Sequence, residues 1–315
     1  MSTTGWVISW RQMVVLVVAA VSAHLTVDAA RPAVLSSRAF ARQNIHAWAF
    51  EEYDAVPRTP AERAEVLGRI GLTRAGYVGR HVERMKDFEA YVGAYRERDI
   101  QLVAVWTPIN TDTPLDEEHI RMFLDSVDRL DIRPQWWVTL EKWERVPESE
   151  RIDRALRVLE PVVRAAAKRG LVLGVYGHGR DAWFTQPENQ IAIVSRLRSA
   201  PGGQSVGIAY NFHHAHSHME RFGEVFERIN PYLIAINVNG MRAEGPMIVS
   251  VGEGNREEEM IRLIHQSDYS GPVGILDHER KEDSVVVLGR NMAGLRRILE
   301  RIGDAAAAST YRTAN

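Results

Sequence analysis

Eight short apolar runs, each followed by an amphipathic stretch, recur along the chain from about residue 44 onward. The runs lie at 45–50, 76–80, 102–106, 135–140, 171–176, 206–210, 233–237 and 273–276, and are rich in β-branched and aromatic residues. Helical patterns fill the intervals at 61–70, 83–98, 116–130, 149–169, 188–199, 219–229, 256–266 and 285–302. Within 83–98, Met85, Phe88, Tyr91, Val92 and Tyr95 share one face, with Arg84, Lys86, Glu89, Arg96 and Glu97 opposite, which is helical spacing. Pro60, Pro114 and Pro187 are read as helix starts, where a missing N–H costs nothing, and Gly71 and Gly170 as helix ends. The runs are continuously apolar rather than alternating, as parallel strands covered on both faces are. Eight such units in about 260 residues predict a single-domain (β/α)8 TIM barrel over 44–303, with 304–315 as a flexible C-terminal tail. An open doubly wound sheet is the alternative architecture. No G-x-G-x-x-G follows the first run and no P-loop occurs, so a nucleotide cofactor has no support.

The N-terminus reads differently. Arg11 precedes an apolar run over 13–23, and small residues follow at Val21-Ser22-Ala23 and Val27-Asp28-Ala29. A positive start, a short apolar core and small-x-small cleavage options predict a signal peptide over 1–29, followed by an extension over 30–43. The mature protein is then exported, periplasmic or secreted, with no stable membrane span after cleavage. An uncleaved anchor reaching back to Trp6 is the alternative, interrupted by Arg11 and Gln12. The 39 basic and 41 acidic residues leave a net charge of −2, which excludes a generic nucleic-acid binder. There is no cysteine, so disulfides, thiolate catalysis and thiolate metal sites are excluded. Oligomeric state is left open.

In a barrel of this kind, chemistry sits at the C-terminal ends of the strands. Of the 11 histidines, His46, His81, His178, His213, His214, His216 and His278 fall on or just beyond a predicted strand. The same ends carry Trp106, Glu141-Lys142-Trp143, Asn211, Asn237-Val238-Asn239-Gly240 and Asp277. Each has a plainer reading. His213-His214-x-His216 reads equally as a strand cap, Asn237 and Asn239 as turn residues, and Glu141 as a surface partner of Lys142 or Arg145. The tryptophans at 48, 106, 137 and 143 read equally as core filling or as faces for sugar rings. His178 and His278 converge on the end that holds His213 and His214, which favours a site.

The motifs Tyr176-Gly-His178-Gly, Pro187-Glu-Asn-Gln190, Tyr210-Asn-Phe-His-His214-Ala-His216, Asn237-Val-Asn-Gly240 and Gly271-Pro-Val-Gly-Ile-Leu-Asp-His278 follow one another at strands five to eight. In this order they resemble the xylose-isomerase-like TIM-barrel superfamily, in particular exported bacterial proteins of the sugar phosphate isomerase/epimerase-like type. The resemblance runs from about residue 44 to the end of the barrel. It implies a small-molecule carbohydrate ligand and Glu, Asp, His and Glu as metal ligands on strands five to eight. Here those positions read Gly174, Asn211, Asn237 and Leu276. A divalent metal (zinc, manganese, iron or nickel) would need a shifted site built from His178, His213, His214 and His278, with Asp277 nearby.

The expected function is an exported sugar isomerase or epimerase that abstracts a proton next to a carbonyl. A lyase or hydrolase acting on a keto-glycoside, and a non-catalytic carbohydrate-binding barrel with a decayed metal site, are the alternatives. His178 and His214 are expected as base or ligand and Glu141 as a spare acid/base. Asn211, Asn237, Asn239, Trp106, His81 and Glu188 are expected to contact the substrate.

Overall fold

A computed structural model describes residues 39–141, 146–178, 182–246, 248–276 and 278–311. The predicted export segment therefore lies outside the described residues, as do Lys142, Trp143, Arg145, Asp277 and the last four residues of the tail. Eight parallel strands alternate with helices: β1 Ile45–Trp48, α1 Pro60–Arg69, β2 Arg74–Val78, α2 Val82–Arg96, β3 Gln101–Asn110, α3 Glu118–Leu130, β4 Gln135–Glu141 and α4 Arg151–Lys168. The second half continues with β5 Leu173–Tyr176, α5 Ala182–Thr185, α6 Pro187–Arg198, β6 Val206–Asn211, α7 Phe222–Ile229, β7 Leu233–Val238, α8 Glu257–His265, β8 Val273–Leu276, α9 Ser284–Ile302 and α10 Ala305–Ser309. The strands pair in sequence order, and β8 closes on β1 with Ile45 opposite Val273 and Trp48 opposite Leu276. The expected (β/α)8 barrel is the observed fold.

Local chemistry sets the helix ends. Thr59 and Glu62 form a reciprocal capping box around Pro60, with Glu62 Oε2 accepting the Thr59 N–H at 2.7 Å. Gly71 and Gly170, both at φ 67°, end their helices in the left-handed region. Pro114 departs from expectation: it lies in the turn ahead of α3, whose first residue is Glu118. The tail departs as well. Residues Asp304 to Tyr311 dock on the barrel through α10, with Tyr311 Oη donating to the Phe40 carbonyl at 2.7 Å and the Arg42 N–H to Thr310 Oγ1 at 2.9 Å. Among the described residues no helix is long and apolar enough to cross a membrane.

Strand alternation divides the apolar residues into two layers. Ile45, Ala75, Tyr77, Val105, Trp136, Val138, Val175, Ile208 and Ile236 face the helices. Trp48, Val78, Ala104, Trp106, Trp137, Tyr176, Ala209 and Leu276 fill the barrel. Four large aromatics inside eight strands require small residues opposite, and glycines provide the space. A Cβ on Gly76 would stand 2.2 Å from the Trp48 ring, and one on Gly174 would stand 2.6 Å from Trp137. Gly174, one of the four positions where the resemblance implied a metal ligand, therefore makes room for a tryptophan.

Candidate active site

The strand ends surround a cavity of about 650 Å³, floored by Trp48 from β1 and Tyr176 from β5 with ring centroids 6.0 Å apart. Trp106 of β3 stands edge-on to Tyr176 at 5.9 Å. Its Nε1 donates to Thr139 Oγ1 at 3.2 Å, and Thr139 in turn donates to the Tyr176 carbonyl at 2.7 Å, which fixes the indole. From Trp106 a chain of rings runs round the mouth. His178 lies 4.1 Å from Trp106, His214 4.3 Å from His178, His213 4.5 Å from His214 and His278 5.4 Å from His213. Tyr53 closes it, 4.2 Å from His278, with the Arg280 guanidinium 4.5 Å over the Tyr53 ring. Arg80, paired with Glu52, lies 5.2 Å over Trp106.

The turn after β6 delivers two of these imidazoles. Asn211 Oδ1 accepts the His213 N–H at 3.0 Å and its carbonyl accepts the Ala215 N–H at 3.1 Å, which turns His213 and His214 back over the barrel. Asn211 Nδ2 donates to Tyr176 Oη at 2.5 Å. Asn211 thus orders the site and is spent on protein partners, although it was expected to hold substrate. Asn237 also departs from expectation. It is fully buried inside the barrel beside His46, and a Cβ on Gly274 would meet both. Asn239 is fully buried too, its Nδ2 donating to the Gly240 carbonyl at 2.8 Å.

Three other expected residues stay outside the cavity. His81 is the exposed residue preceding α2. Glu141 is exposed at the last position of β4. Glu188 is 45% exposed and ion-paired with Arg228 across neighbouring helices. The residues that do come together are Trp106, His178, His213, His214 and His278, joined by Trp48, Tyr53, Arg80 and Tyr176. Trp48 was legible two positions after His46 on the same strand face, and Tyr176 as the last residue of its strand. Tyr53 comes from a loop after Ala49 (φ 58°), which carries no sequence signal.

Burial keeps the imidazoles neutral. His178 is lowered to about 3 by burial and then by Arg80 and His213. His278 is lowered to about 3 by burial, then by His213, His178 and Arg80. His213 and His214 shift the same way, again chiefly through burial. Burial also raises Tyr176, which stays protonated. Each imidazole therefore offers one N–H and one lone pair at neutral pH. Inside the barrel, burial lowers His46 to about 3 as well. On the opposite side of the ledger, burial raises Glu51, whose Oε1 accepts the Val78 N–H at 2.6 Å, to about 7.

These shifts set the pH dependence of stability. Below 6.5 the unfolded chain protonates His46, His178 and His278 while the folded chain does not until about 3, so each loses ~1.4 kcal/mol per pH unit over that window. Glu51 has the opposite sign, destabilising as pH rises from 4.5 to 7. Three histidines outweigh one carboxyl, so the melting temperature is expected to fall steadily from pH 6.5 to 4.5 in a thermal-shift series. A flat or rising curve across that interval would contradict the buried neutral imidazoles.

The described residues do not fit a divalent metal. No three histidine or carboxylate groups among them converge on one point. The four strand positions with implied metal ligands hold a glycine under Trp137, two buried amides and Leu276. The imidazoles meet ring against ring instead.

No family model matches the chain, and no curated protein matches it in sequence. Solved structures do share its fold. The 3-keto-D-glucoside 4-epimerase YcjR from E. coli superposes with a TM-score of 0.63 at 13% identity, over 81% of this chain and 99% of that one. A D-tagatose 3-epimerase-like protein gives 0.60 at 18% identity, over 83% and 99%. The IolI protein with a bound zinc atom gives 0.58 at 11% identity, over 86% and 99%. The chain has the fold of the xylose-isomerase-like TIM-barrel sugar epimerases and isomerases.

Proposed function

We propose that the protein is a sugar isomerase or epimerase in which imidazoles, rather than metal-bound carboxylates, move the proton. The observation that carries this reading is the unbroken arc from Trp106 through His178, His214 and His213 to His278 above an aromatic floor. Trp48 and Trp106 give the cavity an aromatic lining against which the C–H groups of a sugar ring can pack. A neutral imidazole at His178 or His214 takes the proton from the carbon next to a carbonyl. The imidazolium so formed gives its proton back to the enediolate. For epimerisation a second imidazole takes it over and delivers it to the opposite face of the same carbon. For isomerisation it goes to the neighbouring carbon, with the hydroxyl proton passing to the former carbonyl oxygen. Arg80, the one Lys or Arg lining the cavity among the described residues, supplies positive charge for the enediolate oxygen. The epimerases that share the fold support the same reaction class. A second reading, a carbohydrate-binding barrel without turnover, is favoured by the low basicity that burial gives His178 and His278.

Incubation of the protein with ketohexoses and 3-keto-D-glucosides in D2O, followed by proton NMR, separates the two. The enzyme reading expects loss of the C–H signal next to the carbonyl, undiminished after EDTA treatment. Binding without exchange above the buffer rate selects the binding barrel, and exchange abolished by EDTA and restored by zinc or manganese overturns the metal-free chemistry.

A further inference from the structure

We propose that the sugar in the main cavity is the glycone of a glycoside, whose second, neutral ring occupies an adjoining cavity across His278; this rests on the carbohydrate reading above. The second cavity has a volume of about 400 Å³, and His278 lines both spaces. Its apolar side is formed by Ile248, Val249, Leu276 and Val287, with Arg290 and Glu279 at the polar side. Leu276 ends β8 and Val287 lies in the first turn of α9, so both stand on fixed elements.

The segment that supplies Ile248 and Val249 is also anchored. Gly240 and Val249 exchange backbone hydrogen bonds of 3.0 and 2.8 Å. Two residues on, the Val251 N–H donates to the buried Asn291 Oδ1 at 2.9 Å. A Cβ on Gly240 would stand 2.2 Å from the Ser250 carbonyl, so the close approach of the two backbones depends on glycine there. The cavity is therefore formed before any ligand arrives, which spares the ordering cost of binding.

Its charge selects a neutral occupant. Arg290 Nε donates to Ser250 Oγ at 2.7 Å, and its other two nitrogens to Glu282 at 3.0 and 3.2 Å. With Glu253 4.0 Å away and Glu279 also lining the cavity, the guanidinium charge is already neutralised and three of its five N–H groups are used, which leaves no net positive charge to hold a phosphate or carboxylate. What remains is an apolar wall and a flat guanidinium face, the surroundings of a sugar or aryl ring. One glycosidic link past the edge of His278 would join the two rings.

Isothermal titration of the full protein with methyl and phenyl glycosides of the D-gluco, D-galacto and 3-keto-D-gluco series tests this, with a disaccharide of each series telling a sugar from an aryl second ring. The phenyl glycoside or the disaccharide is expected to bind about tenfold or more tighter than the matching methyl glycoside. Ile248→Trp, which fills the second cavity, is expected to erase that gain and leave the methyl glycoside within about twofold. Equal affinities of all three ligands for the wild-type protein overturn the subsite alone, as does a gain that survives Ile248→Trp. The comparison on the wild-type protein decides even if the variant fails to fold. No binding by any member of the panel overturns the carbohydrate reading and the subsite with it.

Discussion

His178→Ala and His214→Ala are each expected to lower the rate of C–H exchange on the bound sugar by roughly 10²–10⁴-fold, the usual contribution of a positioned general acid or base. The two rings are in contact at 4.3 Å, and the same His178 ring lies 4.1 Å from Trp106. Charge on one imidazole disfavours charge on the other, so only one of the two carries an added proton at a time and the pair acts as a unit. Residues that act as a unit lose most of their effect at the first substitution, so the double variant should fall little below the worse single one. Sugar affinity should drop only severalfold in either variant, because the aromatic lining from Trp48, Trp106 and Tyr176 remains. A loss confined to KM, with kcat intact, would reduce both histidines to binding contacts. Independent, multiplying losses would mean that the two imidazoles do not act as a unit, while leaving the site in place.

The sequence made the architecture legible because strand and helix periods are local properties, and it made His178, His213, His214 and His278 legible because strand ends follow from strands. It failed on depth. Asn211 and Asn237 lie opposite one another on neighbouring strands, yet both are buried in protein contacts and neither lines the main cavity. Alternation tells which face a residue takes, but its height in the barrel follows from the strand tilt and stagger, which no single strand encodes. His81, Glu141 and Glu188 failed for a related reason. Nearness to a strand end along the chain says nothing about direction, and Glu188, picked out by its Pro187-Glu-Asn-Gln190 motif, turns to Arg228 on the next helix instead. Tyr53 and Arg280 were invisible because they meet only once the β1 and β8 loops are brought together.

The second large effect is expected at Gly274, where the barrel has no slack. A Cβ there would stand 2.0 Å from Asn237 Oδ1, 2.9 Å from Asn237 Cγ and 2.7 Å from His46 Nε2. Neither neighbour can retreat, since both are fully buried. His46 is also held edge-on to Trp48 and Trp137, with ring centroids 6.2 Å from each. The added methyl must therefore push β8 outward from β1 and β7. Overpacking of this kind costs about 3 kcal/mol at the upper end of its usual range, which for a domain of this size lowers Tm by ~6–12 °C. Because Gly274 lies four residues before His278 in the chain, the displaced strand should also pull that imidazole away from His213, and exchange on the sugar should fall in the folded variant. Asn237→Ala removes two of the three close contacts, so the double variant Gly274→Ala, Asn237→Ala should recover at least half of the Gly274→Ala loss, measured against Asn237→Ala alone. Strictly additive melting shifts would mean that the methyl is accommodated elsewhere. The tight fit of His46, Gly274 and Asn237 would then not be what sets the height of β8 and the position of the histidine it carries.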